Sequence, residues 1–207
     1  MAGACLARAE PVNSQETGPA GAGSVTGTAL GIGPRAASPP VPLAGVELLL
    51  VPRSDEVLAN LERVKRQSRD SMTAYRTAMP EMRQILEVFV RNLRGSGDVP
   101  VIPRATVDDT GRFALDNVPA GNWILLGRRS IYVDRALKDN RKETGIYQAQ
   151  PRLIGYERVM VWLQVVAVES GIGQAVELTD RNVWFEGVEE KTTARGRLGT
   201  PGRRSDR

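Results

Sequence analysis

Few residues in this chain are suited to chemistry. It has no histidine, which removes the commonest general base, the commonest neutral metal ligand and the one side chain that ordinarily titrates near neutrality. Cys5 is its single cysteine, so neither an intrachain disulfide nor a thiolate zinc site can form. Catalysis would rest on carboxylates, Lys, Ser, Thr or Tyr alone. Ser130, Tyr132, Lys138 and Lys142 can be weighed as nucleophile and base, but nothing in their spacing locks a geometry. No glycine-rich phosphate loop ending in Lys-Ser or Lys-Thr follows a strand. Asp108 and Asp109 lack the alternating Asp spacing of a calcium loop, and with Gly111 they read as a tight turn. No catalytic residue, cofactor or metal site is assigned.

What remains is aromatic. Trp123, Trp162 and Trp184 are the three tryptophans, and a stacking platform for sugar rings would draw on them. Trp162 lies in Val159-Met160-Val161-Trp162-Leu163, apolar on both faces, and is expected in the core. Trp184 and Phe185 are neighbours on a strand and should face opposite sides, which leaves Trp184 as the first ligand-binding candidate and Trp123 as the second. The competing explanation for each is strand packing.

These side chains must be positioned by short strands. Candidates are Ser24 to Leu30, Val46 to Val51, Val99 to Val107, the Phe113–Leu115 stretch, Trp123 to Leu126, Val159 to Val168, Gln174 to Leu178 and Asn182 to Phe185. Turn signals separate them at intervals suited to a sandwich or barrel, and residues 134–157 read as a long charged loop. Between the second and third strands the period changes. Ser54 is a plausible N-cap with Asp55 and Glu56 in the first turn. Apolar or weakly polar residues then recur in helical steps from Val57 to Met79 and from Met82 to Leu93.

A single straight helix from Asp55 to Arg94 would be about 60 Å long, too long for the linker from Gly95 to Pro103 to return the chain. Two helices are therefore expected, 55–78 and 80–94, folded back between Thr77 and Glu81 where Pro80 removes an amide donor. Leu49, Val51 and the strand at Val159 to Val168 are apolar on a second face, and this hairpin is the large amphipathic element able to cover it.

The net charge of +4 is unevenly placed. Lys191 to Arg207 holds six basic residues against Asp206, so that tail carries +5 and the rest about −1. With no aromatic interleaved, it reads as a solvated tail, and nucleic acid is disfavoured as a partner. No apolar run reaches the roughly 20 residues that span a bilayer. At the other end Ala7-Arg8-Ala9 has the small-x-small form of a signal-peptidase site, without a basic and an apolar region before it. One explanation is an internal start at Met1 with the signal upstream, under which Ala2-Gly3-Ala4-Cys5 also offers a lipid anchor at Cys5; the other is an ordinary disordered N-terminus, and export is the expectation.

Two stretches resemble a known module. Val25-Thr26-Gly27-Thr28-Ala29, a Pro-rich loop and Pro42-Leu43-Ala44-Gly45-Val46-Glu47-Leu48 resemble the opening of carboxypeptidase regulatory-like domains. The run from Asp108 to Leu125 resembles that family's D-x-x-G-x-F-x-L-x-x-V-P-x-G-x-Y-x-L signature, with Trp123 where Tyr is usual. Val176 to Asn182 is similar to its closing strand. The resemblance spans most of residues 24–187 apart from the helical insert and the loop. It implies a mainly β, antiparallel Ig-like or prealbumin-like sandwich, here with an inserted α-helical hairpin, and it brings no catalytic residues.

The expected organisation is an N-terminal disordered segment 1–23, a sandwich 24–188 with helical insert 54–95, and a basic tail 189–207. The expected role is a non-catalytic structural or interaction module of the cell envelope, periplasmic, cell-surface or secreted, with an envelope protein or a glycan as partner. The alternative is a carbohydrate-binding module of the starch-binding-like type using Trp184 or Trp123.

Overall fold

Residues 21–33, 38–96, 101–134 and 153–192 are described by the computed structural model. Their strands form two sheets. In the first, β1 (Ala22–Gly31) is flanked on one side by β2 (Val41–Pro42) and β5 (Arg112–Pro119), both antiparallel, and on the other by β8 (Gly173–Thr179), which runs parallel to it. The second sheet has the order β4 (Arg104–Thr106), β3 (Glu47–Pro52), β6 (Gly121–Asp134), β7 (Leu153–Val168), β9 (Phe185–Thr192), antiparallel throughout. The chain is mainly β, a two-sheet sandwich with two inserted helices packed together. The parallel β1–β8 pair departs from the fully antiparallel expectation.

Side-chain alternation explains why the sheets face each other. Leu48 and Leu50 from β3, Phe113 and Leu115 from β5, and Met160 and Trp162 from β7 point into one core with Val25, Val176 and Leu178. Trp162 is fully buried and donates its indole N–H to the Thr179 carbonyl at 2.8 Å, as the apolar run around it implies. At the Asp108–Arg112 turn, Gly111 has φ +80°, and a Cβ there would sit 2.8 Å from the Ala29 carbonyl oxygen. Asp108 Oδ1 accepts from the Thr110 N–H, the Thr110 hydroxyl and the Arg112 N–H, so this carboxylate organises the turn itself.

The outer face of the second sheet is apolar too, and the insert covers it. Val57, Leu61 and Val64 of α1 (Asp55–Gln67) and Ala78, Met79 and Met82 of α2 (Met72–Ser96) pack on Val159 and Phe185. Further along, Val90 of α2 packs with Val51, Ile124 and Leu126. Burying each such Val or Leu contributes roughly 1.5–3 kcal/mol. Helix α2 approaches so closely that a Cβ on Gly187 would lie 2.6 Å from Met79 Cγ.

The hairpin is present, but its reversal is not at Pro80. Ser54 caps α1 as expected, its Oγ accepting from the Val57 N–H at 3.3 Å. The chain then reverses at residues 68–71. The Ser68 hydroxyl donates to the Lys65 carbonyl, and Ser71 Oγ caps α2 through the Ala74 N–H at 3.0 Å. Pro80 sits inside α2 with its ring exposed. It removes one helical hydrogen bond, at a cost of about 3 kcal/mol. The buried stripe Ala78, Met79, Met82 runs in phase across it and offsets that cost. Two serines with capping geometry decide the turn.

Other boundaries also differ from expectation. Strand β6 extends to Asp134 and β7 begins at Leu153, so Asp134 and residues 153–157, at the two ends of the expected 134–157 loop, belong to a β-ribbon paired from Gly121↔Val168 to Asp134↔Gly155. Backbone pairing continues there although Ile131, Tyr132, Ile154 and Tyr156 are exposed, because the ladder hydrogen bonds do not require a buried face. Strand β9 runs to Thr192, so Glu189 to Thr192 are sheet residues rather than tail. The remaining tail, Cys5 and the N-terminal motif lie outside the described residues, as do Lys138 and Lys142.

Candidate functional site around Trp184

Trp123 is not available to a ligand. It is 5 % exposed in the sandwich core and donates its indole N–H to the Pro119 carbonyl at 2.9 Å. Tryptophan at this position anchors the turn before β6, which withdraws it as a binding candidate.

Trp184 is placed differently from expectation. It precedes β9 rather than lying within it, with its backbone N–H donated to the Val161 carbonyl at 2.8 Å. Strand alternation therefore does not separate it from Phe185. The two rings lie 6.1 Å apart at 57°, and both pack on the helical side. Helix α1 holds the indole. Its N–H donates to Glu62 Oε1 at 2.6 Å, and the Lys65 ammonium stands 4.6 Å from the ring centroid. Glu62 and Lys65, one turn apart, are themselves 3.7 Å apart.

Beside this half-buried indole a cleft of about 650 Å³ opens where the α1–α2 turn meets the segment leading into β9. Trp184, Lys65, Arg69, Ser71, Tyr75 and Glu186 are among its walls. Glu186 is held by Arg158 Nε at 2.5 Å. The Tyr75 phenol is pushed above its ordinary value, first by burial and then by the Glu186 charge, with Arg158 opposing. A phenol is protonated at neutral pH even at its ordinary value, so the Tyr75 hydroxyl can act as a donor. An aromatic wall with hydroxyl, cationic and carboxylate groups around it can hold a polar ligand by stacking and directed hydrogen bonds.

Sequence reasoning singled out Trp184 but missed Glu62, Lys65, Arg69 and Tyr75. Their only local signal was helical spacing, and the site unites residues more than a hundred positions apart. Ser130 and Tyr132, weighed as catalytic groups, lie on the exposed ribbon, and the Tyr132 hydroxyl donates to the Ile154 carbonyl at 3.5 Å.

Beyond the helices, Glu189 is nearly buried. Its Oε2 pairs with Arg83 Nη1 of α2 at 2.9 Å, and its Oε1 lies 3.7 Å from Arg128 Nη2 without a hydrogen bond. Among the described residues no cluster of metal-ligating side chains occurs, and no helix is long and apolar enough to cross a membrane.

No family model matches the chain, and no curated protein does. Among solved structures, it is similar to a proposed carbohydrate-binding protein of Pseudomonas aeruginosa, at 17 % identity and a TM-score of 0.41, over 79 % of this chain and 92 % of that one. It is also similar to a minor pilin of Streptococcus agalactiae, at 11 % identity and a TM-score of 0.32, over 87 % of this chain and 49 % of that one. Neither likeness carries a function across to this chain.

Proposed function

We propose that the chain is a non-catalytic interaction module of the cell envelope, of the carboxypeptidase regulatory-like type, that presents the Trp184 cleft to a polar partner. The observation that carries this reading is the cleft itself. The insert and the main sandwich meet there, and the side chains they contribute are binding groups: an indole, a phenol, two cations and a carboxylate. A sandwich that adds a helical layer gains an edge at which such a cleft can form.

A carbohydrate as the partner is the second reading, favoured by the aromatic pair Trp184 and Tyr75 among hydrogen-bonding groups. A glycan array with the wild type and Trp184→Ala separates the two. Sugar binding that is lost in the variant supports the carbohydrate reading. Failure to bind any glycan, with capture of an envelope protein that depends on Trp184, supports a protein partner. Recovery of the native protein only from the cytosolic fraction would overturn the envelope assignment.

A further inference from the structure

On the far side of Trp184 a second groove of about 670 Å³ runs between α2 and the β4–β3–β6 part of the second sheet. Its floor and inner end are apolar: Leu49, Leu126 and Val161 from the sheet, Met82, Leu86 and Val90 from α2. The volume lies within the usual range of small-ligand sites, about 300–1,000 Å³. Charge is confined to the rim, where Arg83, Arg104 and Arg128 stand with Glu47 and Glu87. Arg128 Nη1 lies 3.8 Å from Glu47 and Arg83 Nε lies 3.9 Å from Glu87. The second guanidinium nitrogen of each is turned toward the nearly buried Glu189.

Arg104 differs from both. It sits opposite Leu49 at the open edge of the sheet, is exposed, and makes no ion pair among the described residues. An apolar groove that ends at an exposed guanidinium, free of ion pairs among the described residues, is complementary to a molecule with a hydrocarbon body and one anionic end. We propose that this groove binds a single-chain amphipathic carboxylate, the chain lying along Leu49, Leu126 and Leu86 and the carboxylate meeting Arg104 at the rim. The inference goes beyond the polar-partner reading and does not depend on it, because it rests on Leu49, Leu86, Leu126 and Arg104 and on another opening, although Trp184 borders both.

Decanoate below its micellar concentration is the probe, with uncharged decanol for comparison, followed by calorimetry and by tryptophan fluorescence. Trp184 borders the groove whereas Trp123 and Trp162 are buried in the sandwich core, so the fluorescence change should vanish in Trp184→Phe. Arg104→Gln should weaken decanoate by roughly tenfold and leave decanol unchanged, the usual scale for one charge-assisted contact. Thr106→Trp, a substitution at an exposed rim position, should block both ligands while the protein stays folded by circular dichroism. Absence of decanoate binding, equal affinity of the wild type for decanol, or indifference to either substitution would each overturn the proposal. Absence of decanoate binding together with intact glycan or protein binding at Trp184 would separate its failure from that of the polar-partner reading.

Discussion

Asp108 and Glu189 show how differently a carboxylate can act in one small sandwich. Asp108 is solvent-exposed, yet its carboxyl is held below the ordinary range, first by the Arg112 N–H and then by the Thr110 hydroxyl. Its contribution to stability is present above the unfolded value near pH ~4 and is lost as pH falls through the lower folded value. Asp108→Ala should therefore melt below the wild type at neutral pH, and the gap should narrow below about pH 4. A gap that stays constant into acid would mean that the turn does not depend on the charge. Glu189 acts through burial, because removing Arg83 strands a carboxylate whose side chain is 7 % exposed. Arg83→Ala should cost about 2 kcal/mol, less than the ~3–5 of a fully buried pair, since Arg83 is half exposed and Arg128 stays close. Denaturant titration of Arg83→Ala, Glu189→Gln and the double variant measures this, and strictly additive losses would show that the two do not interact.

At the level of elements, the insert folds by capping and stripe together. Pro80 breaks the backbone ladder of α2 without ending the helix, so Pro80→Ala should restore a hydrogen bond at an exposed position. An increase in stability of about 1–3 kcal/mol by thermal melting is expected. A decrease would mean that the proline sets a helix geometry the packing requires. Phe89 is half-buried between the two clusters that join α2 to the sheet. Phe89→Ala should cost about 2–3 kcal/mol, somewhat less than a fully enclosed ring. A loss near zero would place the ring outside the packing.

Across the whole molecule the layers are two sheets and a helical pair, and the middle sheet is apolar on both faces. Strands β3 and β4 are adjacent, with Leu49 opposite Arg104, so residues 55–96 could be replaced by a short Gly-Ser link without topological obstruction. Such a deletion uncovers Val51, Ile124, Val159 and Phe185, each at most 7 % exposed in the full chain. The shortened protein should bind hydrophobic dye and associate at micromolar concentration, which scattering and dye fluorescence would reveal. A monomer with an unchanged melting temperature would mean that the hairpin is an appendage rather than a layer.

What the sequence by itself determined is the part governed by local rules. Period-2 runs such as Phe113 and Leu115, the Asp108–Gly111 turn, the Ser54 cap and the doubly apolar strand at Val159 to Val168 each declare a conformation within a few residues. From them follow the sandwich, the helical insert and its docking on the second face. Where the insert turns depended on a competition, since Pro80 opposes the helix while the stripe across it and the Ser68 and Ser71 hydroxyls decide otherwise. That balance is energetic and tertiary, so the strongest helix breaker in the segment misled. The candidate site was half legible. Trp184 could be named from its sequence, but whether its ring was free, clamped or buried depended on Glu62 and Lys65, which helix docking brings from the other end of the chain. The groove closed by Arg104 left no sequence signal at all. A gap between a helix and a sheet is set by how closely two layers pack, and that distance exists only in the folded chain.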